Sequence, residues 1–481
     1  MPSGEALQAL AANARYLGSG EHKGAPWSEH AMKLEVSYTW IDPGPGMRRT
    51  SDRETFADLR LEVDNRALTL NRSIEADAEL EEPRETVRVS LFPLAEFVAF
   101  NWWALLYEPR KTPLDNSAYC NRHRINRHRD GFAYPRVEIY GADSSVQLAA
   151  YRSQIASAGI EFPAGLPNEG LINLDRPATE DTLLTLLQDV LRRISDVDDK
   201  GTLGEVIEAI SRSRADPDER EYCVLAGLLG GDPYESDERI EMVISTVRAT
   251  LGDALSKEIF ATSEVESAVD HANSISRLAH ESLKKSKTAA EHVAGLKKDF
   301  SKRFSKSEVA HVKAPWKRGY VAAQELRGLL SIDTRNALPG DTVLQRKLLD
   351  GAGVDVIASF DWQRLGARGI GADDDGGFGI AIDPKSLINP RFQLVSTFAD
   401  YLLSDEGSLF LSTAGSTDRQ KRNRAFAAEF LAPIDAIRAR LGQRRVVTTD
   451  ELRSFCQDFA VSKTIVKHQI ENQAPDLAVP L

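Results

Sequence analysis

The sequence contains few cysteines and no long apolar run. Its three cysteines, Cys120, Cys223 and Cys456, are widely spaced and odd in number, so they outline no disulfide framework. No stretch approaches the roughly 20 consecutive apolar residues that a membrane-spanning helix needs. The first residues also lack the apolar core and the cleavage site of a secretion signal. We therefore expect a cytoplasmic protein that does not cross a membrane.

Common catalytic signatures are absent as well. The chain has no P-loop, no G-x-S-x-G, no C-x-x-C and no H-E-x-x-H motif. None of its nine histidines lies between residues 312 and 467, and we expect no cofactor. The formal net charge of −12 argues against nucleic acid as the main partner of the whole molecule, because phosphate binding requires a positive surface.

The features that are present predict an α+β protein with more than one core. A chain of 481 residues is too long for a single ordinary core. Its patterns divide it into an α+β N-terminal domain (1–165), a mostly helical middle region (166–312) and a C-terminal α+β domain (313–481). Alternating apolar residues predict the N-terminal strands, and the apolar density around Trp102 and Trp103 predicts a buried helix.

Three segments of the second half have an unusual composition. Residues 280–318 hold eleven Lys or Arg against four acids, which indicates either an anionic partner such as nucleic acid or a solvated helix face and linker, and we favour the latter. The helix predicted near 264–300 is thinly apolar, so we interpret it as an exposed spacer. The glycine-rich segment 366–377 lacks the spacing of a nucleotide-binding loop and is interpreted as a turn between antiparallel strands.

A loop in the N-terminal domain concentrates arginine and histidine. Cys120, His123 and His128 could supply three metal ligands, but a fourth ligand is missing. The cationic side chains could instead bind a phosphate or a carboxylate. The residues of this candidate anion site are Arg122, His123, Arg124, Arg127, His128 and Arg129. The third interpretation, which we favour, is a basic loop without a ligand.

Two segments of the C-terminal domain carry a family resemblance. Residues Arg391–Leu403 read R-F-Q-L-V-S-T-F-A-D-Y-L-L, and residues Arg419–Pro433 read R-Q-K-R-N-R-A-F-A-A-E-F-L-A-P. This order resembles the ImmA/IrrE family of bacterial metallopeptidase domains, in which R-F-T-x-A-H-E-x-G-H on one helix is followed by E-x-x-x-F-A-A-x-L-L-x-P on a second. The resemblance covers roughly residues 315–475. It implies a zincin-like α+β domain.

The departures from the family pattern concern the zinc site itself. The two histidine positions fall on Ser396 and Asp400, the general-base position falls on Thr397, and the downstream glutamate position falls on Arg422. Serine and threonine are poor Zn²⁺ ligands, and an arginine would repel the ion. Because residues 396 and 400 are one helical turn apart, we expect Ser396, Thr397 and Asp400 on one helix, facing Arg422 on a neighbouring helix.

The resulting hypothesis is a pseudoenzyme. We expect a non-catalytic, ImmA/IrrE-like protein that binds a protein partner in regulation, stress response, phage defence or a mobile-element context. One alternative is an active zinc peptidase that cleaves a repressor with unconventional ligands. Another is a nucleic-acid-binding regulator that uses residues 280–318 and the tail. That tail, residues 452–472, has a helix-turn-helix pattern, and we expect it to pack against the domain.

Overall fold

The alternating segments near the N-terminus become antiparallel strands in the computed structural model of the protein. The structure describes residues 32–44, 46–74, 82–111, 117–127, 130–163, 171–197, 201–235, 238–282, 287–304, 314–338, 340–350, 355–356, 360–362, 364–374, 377–385, 389–404 and 408–479. Over these residues helices and antiparallel strands combine in an α+β fold, as the sequence predicts.

The strands of the described residues are β1 (Leu34–Trp40), β2 (Phe56–Val63), β3 (Arg66–Ala67), β4 (Arg72–Ser73), β5 (Val87–Ser90), β6 (Arg136–Ala142), β7 (Ser145–Tyr151), β8 (Ser153–Ile155), β9 (Ile160–Phe162), β10 (Ile172–Asp175), β11 (Asp355–Val356), β12 (Ala367–Asp374), β13 (Gly377–Ile382) and β14 (Leu409–Thr413). In the N-terminal half β2 pairs with β1, β3 and β5 in one sheet. The strands β10, β7 and β6 form a second sheet, and β4, β9 and β8 form a third. In the C-terminal half the strand order is β11-β13-β12-β14, and only the β11–β13 pair of this sheet is parallel.

The α-helices of the described residues are α1 (Thr50–Glu54), α2 (Phe92–Phe100), α3 (Trp102–Tyr107), α4 (Ser117–His123), α5 (Arg176–Arg193), α6 (Leu203–Ala215), α7 (Pro217–Leu229), α8 (Arg239–Leu251), α9 (Asp253–Phe260), α10 (Ala268–Ser282), α11 (Lys287–Arg303), α12 (Pro315–Leu329), α13 (Asp341–Leu349), α14 (Pro390–Leu403), α15 (Asp418–Leu431), α16 (Ile434–Leu441), α17 (Thr449–Phe459) and α18 (Lys463–Gln473). No helix among the described residues is long and apolar enough to cross a membrane.

The apolar segment around the paired tryptophans is buried, as predicted. Trp102 and Trp103 keep 1% and 2% of their surface exposed. The segment is two helices rather than one, because Asn101 leaves helical geometry and its side-chain amide donates to the Phe97 carbonyl at 2.8 Å. Trp103 Nε1 donates to Tyr234 Oη at 2.8 Å, so the helix pair is tied to the middle of the chain.

Apolar packing runs across the predicted domain limits. The strand β10, which follows residue 165, pairs with β7, and apolar residues up to Cys223 share one core with the N-terminal strands. A second core joins α8, α9 and α10 to β12, β13 and β14. A third contains α11 together with the C-terminal helices. The limits at residues 165 and 312 lie outside the described residues and stay a prediction, and apolar cores include residues on both sides of each limit.

The interpretation of the 264–300 helix as an exposed spacer is wrong. The segment forms α10 and α11, and both are packed: Ile275 and Leu278 of α10 contact the C-terminal sheet, while Val293 and Phe300 of α11 enter the C-terminal core. The small alanines Ala268, Ala272 and Ala279 are buried as well. Low apolar content was misleading because alanine adds little hydrophobicity yet allows a helix to lie close to a sheet.

The glycine-rich segment also differs from the prediction. Residues 367–374 are not a turn but the central strand β12, which pairs antiparallel with both β13 and β14. A Cβ atom at Gly369 would lie 2.1 Å from Thr397 Oγ1, and one at Gly371 would lie 2.0 Å from the Phe410 ring. The glycines are therefore required by close packing on the sheet faces.

The C-terminal tail is a pair of helices joined by a short turn, as predicted. The turn passes through Ala460, which has a left-handed backbone (φ 50°), and Ser462 caps α18. Phe455 and Phe459 of α17 and Ile470 of α18 are buried in the C-terminal core. The apolar faces of both helices thus stabilise the domain.

Candidate functional site

The two segments that resemble a metallopeptidase form neighbouring helices. Asn389 caps α14 by accepting the Arg391 amide at 2.8 Å, and Thr417 caps α15 by accepting the Gln420 amide at 3.2 Å. Proline at the first position of α14 suits a helix start, because that position needs no amide donor. Local sequence therefore sets where both helices begin.

The expected juxtaposition of the four motif positions is confirmed. Ser396, Thr397 and Asp400 lie on α14 and are buried, and Arg422 lies on α15. An Arg422 guanidinium nitrogen is 3.5 Å from Asp400 Oδ1. Of the four motif positions, Asp400 and Arg422 therefore approach each other directly.

Asp400 is completely buried and is held by donors from two elements. Arg419 binds it with both ends of its guanidinium, Nε to Oδ1 at 2.6 Å and Nη2 to Oδ2 at 2.7 Å. Asn423 Nδ2 donates to Oδ1 and the Leu411 amide donates to Oδ2, both at 2.8 Å. Burial alone would raise the pKa of Asp400, but Arg419 first, and then Arg422 and the Leu411 amide, lower it below its ordinary value. The carboxylate is ionised and its oxygens are occupied.

The two hydroxyl positions are bound within the fold. Ser396 Oγ donates to the Gln393 carbonyl at 3.0 Å and lies 3.1 Å from Ser412 Oγ. Thr397 Oγ1 donates to the same carbonyl at 2.8 Å and packs against Gly369. Bonding back to a carbonyl one turn earlier is the usual arrangement of a hydroxyl inside a helix. Neither group is positioned as a general base.

Sequence reasoning missed the strongest partner of Asp400. Arg419 precedes Arg422 by one helical turn, so the two guanidinium groups approach the same carboxylate from one face of α15. The one-turn spacing was visible in the sequence. The sequence did not show which of the two arginines binds Asp400 more closely, because that depends on how α14 and α15 pack together.

Two acidic residues from distant parts of the chain hold the start of α15. Thr417 Oγ1 lies 2.8 Å and 2.9 Å from the two carboxylate oxygens of Glu258 on α9. Asp143, in the turn between β6 and β7, accepts the Asp418 amide at 2.7 Å. Burial raises the pKa of Glu258 to about 7, with Asp400 and Asp143 acting in the same direction and Arg419 and Thr417 opposing. These contacts join three regions at one helix terminus.

The arginine- and histidine-rich loop has internal partners for most of its described side chains. Arg122 binds Glu108 through two bonds of 2.7 Å, and Arg124 Nε donates to Glu138 at 2.9 Å. His123 is fully buried, with Nε2 3.0 Å from Glu108 and Nδ1 2.7 Å from the Ile139 carbonyl.

The remaining members of that candidate anion site are Arg127, His128 and Arg129. Arg127 is exposed, and His128 and Arg129 lie outside the described residues. Burial alone would raise the pKa of Glu108, but Lys111, then His123 and Arg122, lower it well below the ordinary range. Arg122 and Arg124 thus neutralise carboxylates of the fold itself, and binding of an external anion by this loop stays a prediction.

No described group of three or more His, Cys, Asp or Glu side chains is arranged to hold a metal ion. A cavity of about 540 Å³ opens beside α3 and the end of α7, and its lining includes Trp103, Arg122 and Tyr234. None of its lining residues belongs to α14 or α15. The motif positions and the cavity are therefore separate features.

Comparison with known proteins adds no assignment, since no family model, no curated protein and no solved structure matches the chain.

Proposed function

We propose that the protein is a non-catalytic, ImmA/IrrE-like regulator that acts by binding a protein partner in the bacterial cytoplasm. The observation that supports this most directly is the state of Asp400. A catalytic zinc site needs three protein ligands and an open position for water. Here the carboxylate that occupies a ligand position forms hydrogen bonds with Arg419, Asn423 and Leu411 and has Arg422 beside it.

The charge around Asp400 disfavours the alternative of an active peptidase. Arg419 and Arg422 place two positive charges where a divalent cation would sit. A metal would have to displace a bidentate guanidinium, and charge-assisted bonds of that kind are among the strongest in proteins. The nucleic-acid alternative rests on residues 280–318, and its signature would be an affinity that falls steeply with salt concentration.

Zinc binding is the decisive measurement for the proposed function. Protein purified without chelator should carry well under one zinc per chain, and added zinc should leave the melting temperature unchanged. Any ligand that binds the folded state measurably would raise that temperature by mass action. Stoichiometric zinc that disappears in Asp400→Ala would make the peptidase alternative correct.

Restoration of the motif provides a positive control. The changes Ser396→His, Thr397→Glu, Asp400→His and Arg422→Glu recreate the family's residues, but they leave Arg419 buried without its carboxylate. We therefore expect zinc to bind measurably only when Arg419→Gln is added as a fifth change. If the four changes alone restore binding with no loss of stability, Arg419 does not hold this site in the way that the contacts indicate.

A further inference from the structure

Arg318 and Arg422 lie on α12 and α15, close to the point where these two helices touch. A Cβ atom built on Gly319 would be 2.2 Å from the Arg422 carbonyl oxygen, so the two helix backbones touch at this point. Arg318, the residue before Gly319, is thereby brought close to Arg422. Burial lowers the pKa of Arg422, and although Asp400 opposes this, the like charges of Arg419 and Arg318 add to it.

Within the described ranges, neither Arg318 nor Arg422 forms a hydrogen bond with a carboxylate. Arg422 donates through Nε and Nη2 to Asn423 Oδ1 at 3.1 Å and through Nη1 to the Leu403 carbonyl at 3.4 Å. Its distance of 3.5 Å from Asp400 is too long for a strong bond, and that carboxylate already accepts from Arg419. Arg318 Nε is buried without a hydrogen-bond partner, and Arg318 forms no salt bridge within the described part of the chain.

Such a pair is unusual in a chain with a formal net charge of −12. Asp400 and Glu258 balance part of the Arg422 charge, but a partly buried cation that is only partly balanced is unfavourable, because the lost hydration is not fully replaced. The carbonyl end of α14 at Leu403 offsets part of this charge, but a helix terminus contributes only about half an elementary charge. The planar guanidinium fork is matched in shape and charge by a carboxylate.

We propose that Arg318 and Arg422 together bind a carboxylate of an acidic segment of the partner protein. This inference rests on the proposed function, since it names the chemistry by which a non-catalytic domain would recognise its partner. A free dicarboxylate or inorganic phosphate would offer the same oxyanion chemistry, so the experiment must distinguish these sources. Arg419 contributes indirectly by occupying Asp400.

The test uses the full-length protein and a defined probe. Binding of a fluorescent hexaglutamate peptide is measured by anisotropy at roughly physiological ionic strength, where surface attraction is screened beyond about 8 Å. Hexaglutamine serves as the uncharged control peptide. We expect saturable binding of hexaglutamate that weakens at least about tenfold in Arg318→Gln, as loss of a charge-assisted bond implies. Arg453→Gln, which removes an exposed arginine paired with Asp450, should change the affinity less than about twofold.

A stability measurement separates recognition from a structural role. Because Arg318 has no partner among the described residues and lies near another cation, Arg318→Gln should keep or raise the melting temperature. Arg318→Lys, which retains the charge but loses the fork, should bind hexaglutamate with intermediate affinity. A lowered melting temperature in both variants, with hexaglutamate affinity unchanged, would show that the arginine only stabilises the fold and would overturn the proposal.

The remaining outcomes are equally distinct. Absence of saturable hexaglutamate binding, or equal losses in Arg318→Gln and Arg453→Gln, refutes the site. Glutarate or inorganic phosphate binding as tightly as hexaglutamate assigns the site to a free anion and refutes the peptide. Zinc is titrated on the same samples. If the natural protein binds both zinc and hexaglutamate, only the proposed function is refuted. If it binds neither zinc nor hexaglutamate, only this inference is refuted.

Discussion

Replacing Asp400 by alanine distinguishes a structural ion pair from a residual metal ligand. In the structure the carboxylate is completely buried and accepts four bonds of 2.6–2.8 Å, two from Arg419, one from Asn423 and one from the Leu411 amide. Alanine would remove the carboxylate partner of the Arg419 guanidinium and the acceptor of the Leu411 amide. Breaking one side of a buried ion pair destabilises a protein by about 3–5 kcal/mol. We expect Asp400→Ala to cause a loss in that range.

Hydrogen–deuterium exchange is the appropriate assay, because a chain of this size need not unfold in a single step. Peptides from α14 and α15 should lose about 3–5 kcal/mol of opening free energy in Asp400→Ala. Asp400→Asn should lose less, since its amide oxygen still accepts one bond. Asp458→Ala is the matched control: Asp458 pairs with Arg440 at the surface, and its removal should cost less than about 1 kcal/mol.

Whether Asp400→Ala destabilises or stabilises α14 and α15 decides between a structural and a metal-binding role for Asp400. Residues kept for metal binding or catalysis usually reduce stability, so replacing them often stabilises the fold. If Asp400→Ala stabilises α14 and α15, or changes their exchange by no more than the Asp458→Ala control does, the carboxylate is not a structural partner of Arg419, and the reasoning that excludes a zinc role for it fails.

Two further predictions concern pH and packing. Burial raises the pKa of Glu258 from 4.5 to about 7, so folding disfavours the ionised form of this side chain. The contribution of Glu258 to the free energy of unfolding is therefore favourable at low pH and is lost as the pH rises from about 4.5 through 7. Glu258→Gln should consequently gain stability relative to the natural protein between pH 5 and pH 8, by up to about 3 kcal/mol in urea unfolding, and a constant difference across that range would contradict the assignment. Gly369→Ala should lower the melting temperature, because its Cβ would lie 2.1 Å from Thr397 Oγ1, whereas Gly295→Ala in α11, with open space at that position, should stabilise by about 0.5–1 kcal/mol. Equal effects of the two alanines would show that β12 and α14 are not in close contact.

The sequence predicted those parts of the site that depend on local geometry. The spacing of Ser396 and Asp400 places them one turn apart on the same face of α14. The two strands β1 and β2 were visible because side chains alternate across a sheet. Periodicity was sufficient wherever the determining contacts lie within a few residues.

Contacts between segments that are distant in the sequence could not be predicted from the sequence patterns. Glu258 and Thr417 are separated by 159 residues, and nothing in either segment indicates that the carboxylate is buried against the helix cap. The strand β12 was misread because glycine usually weakens a strand, and only the position of Thr397 and Phe410 above it explains why glycine is required there. Close packing depends on two elements together, so it cannot be predicted from the sequence of one segment alone.

The residues Asp400 and Arg419 are therefore not independent of one another. An aspartate in a fully buried position requires a cation, and Arg419 supplies it, so the carboxylate and the guanidinium must be present or absent together. Arg422 is different, because its bonds go to Asn423 and to the end of α14, while Asp400 lies at the longer distance of 3.5 Å. Its charge is the one that the fold leaves incompletely balanced. The positive charge of Arg422 at this position therefore favours an anion as its ligand.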